Sequence, residues 1–348
     1  MDIPGVVTIV VAMRSGVVTV AREIAETVLF PQAMDVDSME SVPRAQLDAL
    51  AAAGLYGAPV AREAGGLGLD FPDVCAVVEE LAAGCLTTAF VWIQHFGLLL
   101  TLTGPDTPSA LRDQWLRPAC RGELRGGLAL AGMVPGPPQL RAVPANGGWA
   151  LHGTAPWVSG WGLVDVLQVA ARGPEDTLLT LIMDAAPRQG LTVTRQRLVA
   201  ADASATVRLD FAGVTVPAAR VTDRTPFDPS AGLNPPGLRV NGSLALGVAA
   251  RCCRLIGPSP LDDELATRRT RLDRCLDEDH TSMAEARAAA SELAMRAATA
   301  LVVHAGSGSV TRDRHPQRLA REALFTLVFG ARPQIKAALL SRLGAAPK

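Results

Sequence analysis

The feature that most narrows what this chain can fold into is a change of hydrophobic period that happens twice. From Val17 to about Arg121, apolar residues recur at the three-to-four spacing of helices. From about Gly127 to Arg224 they fall into period-two alternation and short apolar runs. From Leu238 onward the helical spacing returns. Side chains repeat every 3.6 residues on a helix and every 2 on a strand, so neither pattern buries a continuous face in the other geometry. The order predicts an α+β chain in three parts: an N-terminal helical domain over 1–124, a central β domain over 125–224, and a C-terminal helical domain over 235–348. The proline-rich stretch Thr225 to Pro236 reads as the linker between the second and third parts.

Local signals fill in this outline. Asp73-Val74-Cys75-Ala76-Val77-Val78-Glu79-Glu80-Leu81 places apolar residues on one helical face, and Gly65-Gly66-Leu67-Gly68 breaks the chain before it. Leu86 to Thr103 reads as a buried helix through Phe90, Trp92 and Phe96, and Pro108 to Leu116 as an amphipathic helix ending near Pro118. Gly147-Gly148-Trp149-Ala150-Leu151 reads as a hairpin turn and strand. Val166 to Ala170, Leu178 to Met183 and Thr206 to Phe211 are strand-like. Leu244 to Leu255, Leu261 to Leu276 and Met283 to Val303 have helical period and length, and a final helical pair is divided near Pro333.

Charge and composition exclude several classes. The 348 residues hold 33 Lys and Arg against 34 Asp and Glu, which is no basis for binding nucleic acid by phosphate neutralisation. The apolar share of 49% rules against disorder. Ile3 to Met13 is apolar but lacks a basic leading segment, so no signal peptide is expected. Leu86 to Thr103 carries Gln94 and His95 at its middle, so no membrane span is expected either. Six cysteines without metal or disulfide spacing suggest buried thiols and a cytoplasmic protein. There is no P-loop, HExxH or GxSxG, and the Gly65 turn lacks the preceding strand of a dinucleotide fold. His95, on an apolar helix, reads as a core residue.

Ordered landmarks say more. Ala53-Gly54-Leu55-Tyr56-Gly57-Ala58-Pro59, Gly65-Gly66-Leu67-Gly68 and Val78-Glu79-Glu80-Leu81 are followed by Trp157-Val158-Ser159, Asp165 and Phe211-Ala212-Gly213-Val214-Thr215-Val216-Pro217. Arg269-Thr270-Arg271-Leu272 and His304-Ala305-Gly306-Ser307-Gly308 complete the series. In this order the set resembles the acyl-CoA dehydrogenase family over nearly the whole chain. The resemblance implies a helical N-terminal domain, a central β-barrel-like domain and a C-terminal four-helix bundle. It also implies FAD between the last two, and an oxidoreductase of lipid metabolism that removes α and β hydrogens from an acyl-CoA thioester. Trp157 would carry the isoalloxazine, and Ser159 would donate a hydroxyl near its edge. Backbone groups of Ala131 and Met133 would contact the ring. Arg269 would take the pyrophosphate, with Gly306 and Gly308 allowing close approach. Arg239 would lie at the substrate.

The family's proton-abstracting Glu has no counterpart. Counting from Arg321-Glu322-Ala323 puts Phe329 at its usual position, and the alternative position on the first helix of the bundle falls on Gly237 or Leu238 beside Arg239. None of these residues can accept a proton. Glu322, two helical turns before Phe329, is roughly 10 Å away along the axis. The polar middle-domain loop is replaced by Ala131-Gly132-Met133-Val134-Pro135-Gly136-Pro137-Pro138. Four expectations stay open: an active dehydrogenase with another base; a base-less subunit assembling with a catalytic homologue, as an alternative to a homo-oligomer; a flavin-dependent monooxygenase-like relative; and a scaffold that has lost FAD altogether.

Overall fold

A run of end-to-end helix opens the fold: α1 (16–24), a π-helical turn (Ala25–Leu29) and α2 (Phe30–Ser38). The computed structural model describes residues 16–229, 234–278, 280–330 and 332–345, and the Ile3 to Met13 segment lies outside them. Helices α3 (Arg44–Ala52), α4 (Phe71–Gly84), α5 (Leu86–Ile93), α6 (His95–Thr103) and α7 (Ser109–Cys120) follow. Asp70 caps α4 by accepting from the Asp73 N–H at 3.1 Å, with Pro72 in the first turn, where its missing N–H costs nothing. The Leu86 to Thr103 stretch is two helices divided at Gln94. It is long and apolar enough to cross a membrane, yet 72% of it is buried in the protein.

Helix α7 corrects one expectation, because it runs through Pro118 and ends at Cys120. The proline falls in the last turn, where the missing N–H affects one bond only, and its carbonyl accepts the Glu123 N–H at 3.0 Å.

The strands are β1 (Gly126–Ala129), β2 (Leu140–Ala145), β3 (Gly148–Val158), β4 (Val166–Arg172), β5 (Thr177–Asp184), β6 (Leu191–Arg195), β7 (Val207–Pro217) and β8 (Val221–Pro226). They form one sheet in the order β6-β7-β3-β2-β4-β5-β8, with β1 parallel to β4. The ladders are otherwise antiparallel apart from one β2–β4 pair. Edge strands β6 and β8 are not paired with each other among the described residues, so the sheet is an open relative of a barrel.

Helices α8 (Pro235–Ile256), α9 (Pro260–Arg274), α10 (His280–Ala305) and α11 (His315–Val328) build the C-terminal bundle, and the shorter α12 (Pro333–Arg342) packs on α10. The three sequence regions share two cores. Leu47, Leu81 and Trp92 from the N-terminal helices join Leu246, Leu293 and Leu319 from the bundle in one apolar cluster. Leu151, Val169 and Leu209 belong to a separate cluster inside the sheet. Helix α8 lies directly on α4: a Cβ on Gly247 would stand 2.5 Å from the Glu79 carbonyl oxygen, so only glycine permits the approach.

Candidate functional site

Strand alternation alone would point Trp157 into the sheet core, because Ala155 two residues earlier is buried there. Between the pairs Ala155–Leu209 and Val158–Val207, however, β3 takes three steps while β7 takes two. This is a β-bulge containing Pro156, a residue that cannot donate to the ladder. The Gln196 side-chain N–H donates instead to the Pro156 carbonyl. The extra residue turns the indole outward, where it is 65% exposed. A side chain of this size leaves roughly 130 Å² of apolar surface in water, and covering it would be worth about 3 kcal/mol.

The other residues implied for a flavin divide into two groups. Ser159 is buried, and its Oγ lies 2.8 Å from Thr206 Oγ1, which in turn lies 2.7 Å from Ser204 Oγ. Its hydroxyl therefore belongs first to an internal chain of three. Ala131 to Met133 form a single 3-10 turn in which the Met133 N–H donates to the Leu130 carbonyl at 3.0 Å, so that donor is not free for a ring. Gly306 and Gly308 do have open space where a side chain would stand, and Gly306 has a φ of 74°.

Arg269 departs furthest from expectation. Its guanidinium forks onto both carboxylate oxygens of Glu79 on α4, with Nε to Oε2 at 3.0 Å, and this pairing raises its pKa. Within one chain it clamps α9 to α4 and offers no free fork to a phosphate. Its neighbours Arg268 and Arg271 pair with Glu264 and Glu278. Arg239 is likewise engaged: it is buried and donates to Asp273 and to Ser243 Oγ, both at 2.6 Å. Asp165 holds the start of the sheet by accepting the Arg125 N–H at 2.8 Å.

Where the resemblance would place a base, α11 ends in an aromatic cluster. Phe329 stacks on Phe325 with centroids 5.3 Å apart, and Phe90 of α5 meets both edge-on at 4.8 and 5.0 Å. Gly237 is exposed, whereas Leu238 is buried. Glu322 does not substitute for them. It is buried with Oε1 held by Arg318 at 2.5 Å, and burial pushes its carboxyl pKa up. His95 is a core residue: its Nδ1 accepts the Gly126 N–H at 3.0 Å, and burial drives its pKa down to about 3.

Two side chains near the aromatic turn carry no motif and escaped the sequence reading. Arg287 is buried, has no carboxylate partner among the described residues, and donates to Ser291 Oγ and to the Thr326 and Phe329 carbonyls. Asn241 places Nδ2 3.2 Å from where a Cβ on Gly330 would stand. A separate open cavity of about 380 Å³ is lined by Arg44, Asp48, Arg121, Glu123, Arg125 and Asp165, and none of the flavin candidates lines it.

Comparison with known proteins agrees with this architecture. Residues 15–123 match the family model described as the acyl-CoA dehydrogenase N-terminal domain. Over 145 residues the chain is 31% identical to the mitochondrial short-chain specific acyl-CoA dehydrogenase of Homo sapiens, covering 40% of this chain and 34% of that protein. It is 26% identical over 231 residues to the benzylmalonyl-CoA dehydrogenase of Aromatoleum aromaticum, covering 63% and 60%. The match thus spans between about a third and three-fifths of these relatives' lengths. The butyryl-CoA dehydrogenase structure from Megasphaera elsdenii superposes with a TM-score of 0.78 at 19% identity, covering 95% of this chain and 97% of that one. Residues 15–123 are thus similar to the acyl-CoA dehydrogenase N-terminal domain, and the chain as a whole shares the fold of the butyryl-CoA dehydrogenase structure.

Proposed function

We propose that this protein is a flavin-binding oxidoreductase acting on acyl-CoA thioesters, with FAD as the flavin and Trp157 as the surface that carries it. The observation behind this reading is the bulge at Pro156, which holds a large indole in water at the end of β3. The Ser159–Thr206–Ser204 hydroxyl chain lies just beyond it on the same strand end, with spare hydrogen-bonding capacity. Gly306 and Gly308 leave room for close backbone approach, while Arg269 is held by Glu79. The residues therefore fit the ring end of the cofactor better than its diphosphate. When bound, the flavin supplies the acceptor for the β-hydride.

The α-proton needs an acceptor, and Phe329, Gly237 and Leu238 provide none. The aromatic packing of Phe329 favours a second form of the proposal, in which the chain is one subunit of a hetero-oligomer and a homologous partner supplies the base. Residence in the cytoplasm is part of the proposal, and the six buried thiols suit a reducing compartment.

Purification of the chain alone, with its visible spectrum recorded before and after addition of octanoyl-CoA, tests both forms. A flavin band that bleaches supports the dehydrogenase acting alone. A flavin band that persists, then bleaches once a catalytic homologue is co-purified, supports the two-subunit form. Failure to retain flavin under either condition refutes the proposal, and bleaching that requires a nicotinamide nucleotide points to monooxygenase-type chemistry.

A further inference from the structure

Helix α8 carries a carboxamide whose hydrogen-bonding capacity is unused. Asn241 is half-buried and makes no hydrogen bond to any described residue. It lies one turn beyond Gly237, on the same face of the helix. Its Nδ2 reaches the Phe329–Gly330 turn, which presents two half-buried phenyl rings, Phe325 and Phe329. The helix gains nothing from asparagine here, since its propensity is below that of alanine.

A second feature of the same turn concerns charge. Arg287 is buried, with only neutral acceptors around it: Ser291 Oγ and the Thr326 and Phe329 carbonyls. Among the described residues no carboxylate balances it. The turn thus meets this cation through a neutral residue, Phe329, whose backbone carbonyl accepts from it. Such a field favours partial negative charge on a ligand atom at the turn and disfavours a second cation.

Resting on the acyl-CoA reading above, we infer that Asn241 is a substrate-positioning residue whose Nδ2 donates to the thioester carbonyl oxygen of the acyl group, while the Phe325 and Phe329 rings receive the adjoining apolar carbons. A neutral carboxamide suits this task because it donates without removing a proton. Arg287 acts behind it, through the Phe329 carbonyl, by making the site tolerant of negative charge on that oxygen.

The test compares two probes on two proteins: octanoyl-CoA, and the octyl-CoA thioether, which lacks the carbonyl. Binding is measured by calorimetry on the purified flavin-loaded protein. The wild type should bind the thioester about tenfold more tightly than the thioether, as one well-formed hydrogen bond allows. Asn241→Ala should lose that preference while keeping its affinity for the thioether. Because alanine is the better helix former, the variant should melt at or above the wild-type temperature. Equal thioester preference in wild type and variant overturns the inference and leaves the functional reading standing. A wild type that binds neither CoA compound overturns both. A variant with lowered melting temperature and unchanged preference assigns Asn241 a purely structural role. Asn241→Ser, which keeps a donor on a shorter stem, should recover part of the preference.

Discussion

Acid should unfold this protein partly through one imidazole. His95 sits at the start of α6 with its ring in the core, its Nδ1 accepting the Gly126 N–H and its edge against Tyr56 at 4.8 Å. Burial lowers its pKa to about 3, against 6.5 for the free side chain. Between those values the unfolded chain binds a proton that the folded chain refuses, so stability falls as pH drops below 6.5, and this contribution levels off below about 3. At pH 5 the gap is 1.5 units, which at about 1.4 kcal/mol per unit amounts to about 2 kcal/mol. His95→Asn can still offer an oxygen to Gly126 but no longer titrates. Urea unfolding of both proteins at pH 7.5 and pH 5, followed by tryptophan fluorescence, isolates the effect. Half-buried His315, whose pKa falls to about 4, contributes equally to both and cancels. The wild type should lose about 2 kcal/mol more than the variant, or about 0.7 M in midpoint at a slope of about 3 kcal/mol per M. Equal acid sensitivity would refute the claim that this ring is held neutral by burial.

Trp157→Ala should weaken flavin binding about tenfold, since covering one face of the indole accounts for roughly half of the 3 kcal/mol estimated above. Because the side chain is exposed, the melting temperature should not fall, and flavin titration with a parallel melt checks both. Arg269→Met should leave flavin affinity of the single chain unchanged while destabilising it by about 1–2 kcal/mol, because Glu79 would be left buried without its partner. A selective loss of flavin would restore the phosphate role. Gly247→Ala sets about 1 kcal/mol of helix propensity against a Cβ 2.5 Å from the Glu79 carbonyl oxygen. Overpacking should win by about 2 kcal/mol, visible as a lowered melting temperature.

Much of the fold was legible because it follows from periodicity. The two changes of period locate the start of β1 and of α8, and the break at Gly65-Gly66-Leu67-Gly68 precedes α4, whose capping residue Asp70 the sequence reading did not single out. The site was legible only in part, for reasons that differ by residue. Pro156 within a strand was a visible cue to the bulge, although it cannot reveal which side chain the bulge expels. Arg269 matched a motif, but its partner Glu79 lies 190 positions away, and one sequence gives no means of pairing them. The same holds for Ser159 and Thr206, 47 positions apart. Asn241 and Arg287 were missed because their significance lies in what they fail to bond, and satisfaction is a property of the folded neighbourhood.

The two halves of the site differ in what folding leaves unsatisfied. On the helical side, Phe329, Phe325 and Phe90 meet one another at ordinary ring distances, and the turn needs no ligand to be stable. On the sheet side, the indole stands in water at a bulge that disrupts the ladder, and the Gln196 side chain replaces one lost ladder bond at the Pro156 carbonyl. Arg321 joins the halves: its guanidinium pairs with Asp37 on α2 and also donates to the Val199 carbonyl at 2.9 Å, in the loop that leads to β7. An exposed indole on the sheet side, together with an aromatic cluster that closes the end of α11, is the combination that the two-subunit form of the proposal predicts.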